Sequence, residues 1–103
     1  MTNSRTLKVT INGTGFAGDY TASTYSQIPH KNGVDIQIAG VLSGRLENAE
    51  RFAAKFPGAR AFDNHRAMIE DVRPDIDNIA CANFTHGPYT IESAQLGVPV
   101  VVL

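Results

Sequence analysis

The chain has 103 residues, enough for one domain and too few for two, with 43% hydrophobic residues to build a core and a net charge of −1. Nine Lys and Arg spread along its length exclude the concentrated basic face that nucleic acid or an anionic membrane surface needs. A single Cys81 leaves no internal disulfide, the polar start MTNSRTLK lacks the apolar stretch of a secretory signal, and no apolar run approaches a membrane span, so the composition reads as soluble and cytoplasmic.

LKVTIN places Leu7, Val9 and Ile11 on one face at strand spacing. Three glycines follow in VTINGTGFAG. The stretch from Phe16 to Ile28 is rich in Thr, Ser and Tyr, and only its position after the glycines argues for a helix. VDIQIAGVL alternates through Val34, Ile36 and Ile38 and then turns continuously apolar, as a strand buried on both faces would. In RLENAERFAAKF, Leu46, Ala49, Phe52, Ala53 and Phe56 form one apolar stripe, with Pro57 as the stop and Gly58 in the turn. A short strand near ARAF precedes the helix NHRAMIEDV, which has Asn64 or Asp63 as its N-cap. DIDNIACA reads as a strand. THGPYTIESAQLG reads as a helix with Thr85 as cap, Pro88 in the first turn and Gly97 at the exit, and VPVVVL closes the series as a strand. Strands alternating with helices imply right-handed crossovers and a doubly wound parallel α/β sheet with helices on both faces. No internal repeat, low-complexity tract or linker interrupts the pattern.

In such a fold the turn after the first strand can meet a dinucleotide pyrophosphate. Gly13 makes the tight turn, Gly15 lets the backbone approach the phosphates, and Gly18 lets helix and strand pack closely. Thr14, Phe16 and Ala17 complete the turn, and the helix N-terminus offers free N–H groups to the anion. A lone G-x-G-x-x-G is weak, but here it follows a strand and opens a βαβ unit, which is the context the motif requires. The end of the second strand then reports the cofactor. NAD-selective sites place an acid there for the ribose hydroxyls. This chain has Ser43, Gly44 and Arg45, with no acid before Glu47. Arg45 offers a fork of donors to a 2′-phosphate, so NADP is favoured with NAD as the alternative. The bland reading, that Ser43 caps the next helix and Arg45 is a solvated charge, is compatible with it.

Ligands of open parallel sheets lie beyond the carboxyl ends of the strands, which puts Ala82, Asn83, Phe84, Thr85 and His86 along the site. Asn83 is a candidate hydrogen-bond partner for the ribose or nicotinamide, whereas His86 is either substrate-facing or structural. His30 and His65 show no partner in the sequence. Metal-type Cys and His spacing, a Tyr-x-x-x-Lys pair and a Ser/His/Asp arrangement are all absent.

Taken in order, VTINGTGFAG, IAGVLSGRLENAERFAAKF, the short helix after it, and DIDNIACANFTHGPYTIESAQLGVPVVVL resemble the N-terminal domain of the Gfo/Idh/MocA oxidoreductases, over nearly the whole chain. The resemblance implies a Rossmann domain that binds NAD or NADP and a hydride transfer on a sugar, polyol or similar small alcohol. Asn83 and His86 match the family's Thr-Pro-Asn-x-x-His stretch, in which Cys81 and Ala82 replace the first two residues. Asp19 and Thr21 stand where Arg and His are frequent. The LSGR ending resembles NADP-using members. In the family the last strand leads into Glu-Lys-Pro, whose Lys is the catalytic acid/base or its partner, and then into a substrate domain. Leu103 falls just before that point, so the resemblance implies that the catalytic Lys lies beyond it and that residues 1–103 alone are inactive.

The strongly apolar VPVVVL edge predicts self-association into a homo-oligomer. A non-catalytic NADP(H)-binding module acting through that association is the alternative function. A methyltransferase-like domain using S-adenosylmethionine would want an acid where Ser43 stands.

Overall fold

The computed structural model describes residues 5–27, 34–80 and 83–102. Its elements run β1 (Arg5–Asn12), α1 (Phe16–Gln27), β2 (Val34–Leu42), α2 (Leu46–Ala53), β3 (Arg60–Phe62), α3 (His65–Val72), β4 (Ile76–Ile79), α4 (Asn83–Gln95) and β5 (Val100–Val102). All pairings are parallel and the strand order is β3-β2-β1-β4-β5, the doubly wound arrangement expected from the alternation of periods.

β1 is the central strand and is covered on both sides. Val9 and Ile11 join Ala22 of α1, Ile38 and Val41 of β2, and Ala49, Phe52 and Ala53 of α2 in one apolar core. The opposite face packs Ala39 and Leu42 of β2 against Met68, Ile69 and Val72 of α3 and Val98 beyond α4. At the edge of the sheet, β5 pairs only with β4 among the described strands, and Val101 and Val102 are exposed.

Four boundaries or burials differ from the sequence reading. α2 ends at Ala53 with Ala54 as its C-cap, so Phe56 lies past the helix in the turn that leads to Pro57. Leu46, placed on the apolar stripe, is the first residue of α2 and is exposed, ahead of the buried Ala49, Phe52 and Ala53 of the same helix. Arg45, not Ser43, is the N-cap of α2, and it makes no side-chain cap bond. α4 starts at Asn83, which puts Pro88 inside the helix instead of its first turn and removes one backbone donor there. α3 is capped as expected by Asn64, whose side chain accepts from the Ala67 amide at 2.9 Å.

Candidate functional site at the carboxyl ends of the strands

The three loops singled out by sequence converge at one end of the sheet. The Gly13 amide donates to the Leu42 carbonyl at 2.9 Å, which sets the glycine turn beside the β2 exit, and the Ala80 amide donates to the Asn12 carbonyl at 2.9 Å, which brings up the β4 exit. Within the turn the glycines answer to different demands. Gly13 has φ 111°, in the region L side chains rarely enter. A Cβ on Gly18 would sit 2.0 Å from the Gly13 carbonyl oxygen, so α1 and the turn can pack this closely only without one. Gly15 has neither constraint: its φ is not in the left-handed region, and a Cβ there would meet nothing within 4 Å.

At the β2 exit the Ser43 amide donates to the Phe62 carbonyl at 3.1 Å, and Ser43 Oγ accepts from the Arg45 amide at 3.3 Å. The Arg45 carbonyl receives the amides of Asn48 and Ala49 at 3.0 and 3.2 Å. Gly44 and Arg45 are exposed, and they directly follow the β2 exit whose Leu42 carbonyl holds the Gly13 amide. A cleft of about 290 Å³ beside Thr14 is lined by Asn48, Arg51, Phe52 and Lys55 of α2 and its exit. A larger hollow of about 400 Å³, bordered by Thr6, Asp35 and Gln37, lies at the amino ends of β1 and β2, away from the ligand end of a parallel sheet. α4 begins at Asn83, directly after the β4 exit. Ala82, Cys81 and His30 lie outside the described residues, as do the side chains of Phe16, Ala17, Asn83 and His86.

Directly beneath this end lies a buried polar cluster. Asp77 of β4 is fully buried and accepts four hydrogen bonds. Thr10 Oγ1 at 2.7 Å and Asn12 Nδ2 at 2.6 Å reach one oxygen, while His65 Nε2 and Ser93 Oγ, each at 2.8 Å, reach the other. His65 Nδ1 lies 2.6 Å from Glu92 Oε1, and the ring stacks on Tyr89 with centroids 4.4 Å apart. Burial alone would lower the pKa of His65, but the hydrogen bonds to Asp77 and then Glu92, with the charges of both, outweigh it and hold the pKa above 6.5. Sequence reasoning gave His65 no partner. The available signal was that Thr10 and Asn12 alternate with Val9 and Ile11: in a central strand the polar side of that alternation is buried too, and must find partners.

Among the described residues no His, Cys, Asp and Glu group is placed to hold a metal ion, and no helix is long and apolar enough to cross a membrane.

A parallel sheet in the order 3-2-1-4-5, helices on both faces and a glycine turn at the central strand's exit define a Rossmann-type domain. The chain belongs to the Gfo/Idh/MocA oxidoreductase family, whose NAD-binding Rossmann fold matches residues 7–102. It is 29% identical over 95 residues to the D-glucoside 3-dehydrogenase of Escherichia coli (strain K12), covering 92% of this chain and 26% of that protein. Among solved structures it is similar to biliverdin reductase from Synechocystis sp. PCC 6803, in complex with biliverdin and NADP+ (27% identity, TM-score 0.74, 93% of this chain and 28% of that one). It is also similar to UDP-N-acetylglucosamine 3-dehydrogenase from Acidithiobacillus ferrooxidans (26% identity, TM-score 0.76, 95% of this chain and 29% of that one). The chain thus spans about a quarter of the length of the curated relative it matches.

Proposed function

We propose that this chain is the dinucleotide-binding domain of an NAD(P)-dependent dehydrogenase that moves a hydride to or from a sugar, polyol or similar small alcohol, with NADP preferred. Gly15 carries the reading. The protein's own packing and backbone explain glycine at positions 13 and 18 but make no demand at position 15. A ligand that must approach the backbone does make such a demand.

The free amides of the turn and of the first turn of α1 would hold the pyrophosphate. Ser43 and Arg45 would take the adenosine ribose and its 2′-phosphate, and Asn83 with His86 would face the ribose and nicotinamide side. The cofactor supplies the hydride chemistry, and the chain supplies binding and orientation. The alcohol substrate class is supported by the names of two similar proteins, which are dehydrogenases of a D-glucoside and of UDP-N-acetylglucosamine. The acid/base group and substrate pocket are assigned to parts of the whole protein other than residues 1–103.

Titration with NADPH and NADH, followed by reduced-nicotinamide fluorescence, tests the assignment. NADPH should bind more tightly than NADH. Arg45→Ala should weaken NADPH by about tenfold or more, the worth of a charge-assisted bond to phosphate, and leave NADH nearly unchanged. Gly15→Val should keep the unfolding midpoint and lose both nucleotides. Equal affinities unmoved by Arg45→Ala would overturn the NADP preference, and retained binding in Gly15→Val would overturn the site.

A further inference from the structure

The protons in the cluster under α3 and α4 do not balance around a neutral imidazole. Thr10 and Asn12 donate to one oxygen of Asp77 and Ser93 to the other, so the carboxylate faces His65 as an acceptor at 2.8 Å and Nε2 carries the hydrogen between them. In a neutral ring Nδ1 would then be a bare lone pair, 2.6 Å from a carboxylate oxygen of Glu92 that has no hydrogen either. Two acceptors do not rest at that distance, so a proton lies between them, and imidazole is a stronger base than a carboxylate.

We propose that His65 is a proton-dependent latch: as an imidazolium it clamps α3 and α4 onto the β1–β4 seam beneath the glycine turn, and loss of its proton releases Glu92 and loosens that clamp. The geometry supplies each part. The ring belongs to α3, its two carboxylate partners come from β4 and α4, and Tyr89 of α4 stacks on its face. β1 adds only uncharged groups, Thr10 and Asn12, to the same Asp77 carboxylate. Asp77 and Glu92 are therefore the charged groups that face the ring. They differ in freedom: the Asp77 side chain is fully buried, whereas that of Glu92 is 30% exposed and can turn to water when the latch opens. The neutral ring would still donate to Asp77, but that buried carboxylate would have lost the positive charge that His65 sets against it.

The sign follows from the direction of the shift. His65 titrates above 6.5 in the folded chain and near that value when unfolded. The latch thus contributes fully below pH 6.5 and is lost as pH rises through the folded value.

The test is urea unfolding from pH 6 to pH 9 alongside an NMR titration of the His65 ring, in the parent chain and in Glu92→Gln. The parent should show His65 titrating above 6.5, with the unfolding equilibrium constant rising by up to about tenfold per pH unit, the limit for one proton. In Glu92→Gln the carboxamide can donate to a neutral Nδ1, so the titration should move down and the pH slope should flatten while the fold remains. A merely structural ring would leave the slope unaltered by this substitution. A His65 titration at or below 6.5, or equal slopes in the two proteins, would overturn the latch.

Discussion

On the α1 and α2 side of the sheet, Val9, Ile11, Ile38 and Val41 meet Ala22, Ala49, Phe52 and Ala53, and a polar link across that side runs from the Tyr25 hydroxyl to Asn78 Oδ1 at 2.9 Å. On the other side, β1 turns Thr10 and Asn12, and β4 turns Asp77, toward His65 and Ser93. Both sides bury their residues almost completely. Apolar burial is roughly proportional to area and has no direction, so the first side tolerates small changes of shape. Directed hydrogen bonds around a buried charge work only as a complete set, and one wrong atom leaves a donor stranded.

The largest effect should come from the isosteric change Asp77→Asn. A carboxamide NH2 turned toward either pair of donors faces a hydrogen, from Asn12 on one side or from His65 on the other, and the His65 charge loses its buried partner. A loss of about 3–5 kcal/mol in urea unfolding is expected. A loss no larger than that of a trimmed methyl would erase the contrast between the two sides. Tyr25→Phe tests the polar link on the apolar side. It leaves the Oδ1 of buried Asn78 without the donor of half-buried Tyr25 and should cost about 1–2 kcal/mol, read from the same unfolding curves. The smallest effect should come from Ile11→Val, which removes one methyl from a fully buried side chain for about 1 kcal/mol, with little change in thermal unfolding cooperativity. A larger cost there would mean that the apolar side is as exacting as the polar one.

The same contrast explains what could be read in the sequence. The order of elements, the parallel sheet and the context of the glycine turn were all legible, because period and glycine spacing are local properties. The limits of α2 and α4 were not. The stripe from Leu46 to Phe56 continues in the sequence beyond Ala53, where the helix ends, and α4 runs through Pro88 from an earlier start than Thr85. The convergence of Gly13 with the β2 and β4 exits followed from the topology. The meeting of His65, Asp77 and Ser93 did not, because it depends on which strand becomes central and which helices lie over it. Those three residues come from separate elements and share no short motif. Asn12 is the instructive residue: its Nδ2 serves Asp77 and the Asn78 carbonyl, while its buried Oδ1 has no hydrogen-bond partner among the described residues. A polar residue of that kind looks like the solvent side of a strand until the strand is known to be covered twice.

The central position of β1 also sets the order in which the chain can be completed during synthesis. β2 follows β1 closely, but the β4 partners of Thr10 and Asn12 lie 67 and 65 residues further on. Until Asp77 has emerged, β1 has one open edge, and its buried-to-be polar groups are still served by water. The cluster cannot close before Ser93 is made, so it has no means of guiding the early steps. Contacts of such sequence separation slow folding and lengthen the time an apolar strand edge stays available to other chains. A nascent chain arrested between β3 and β4 should therefore be the species that most needs a chaperone.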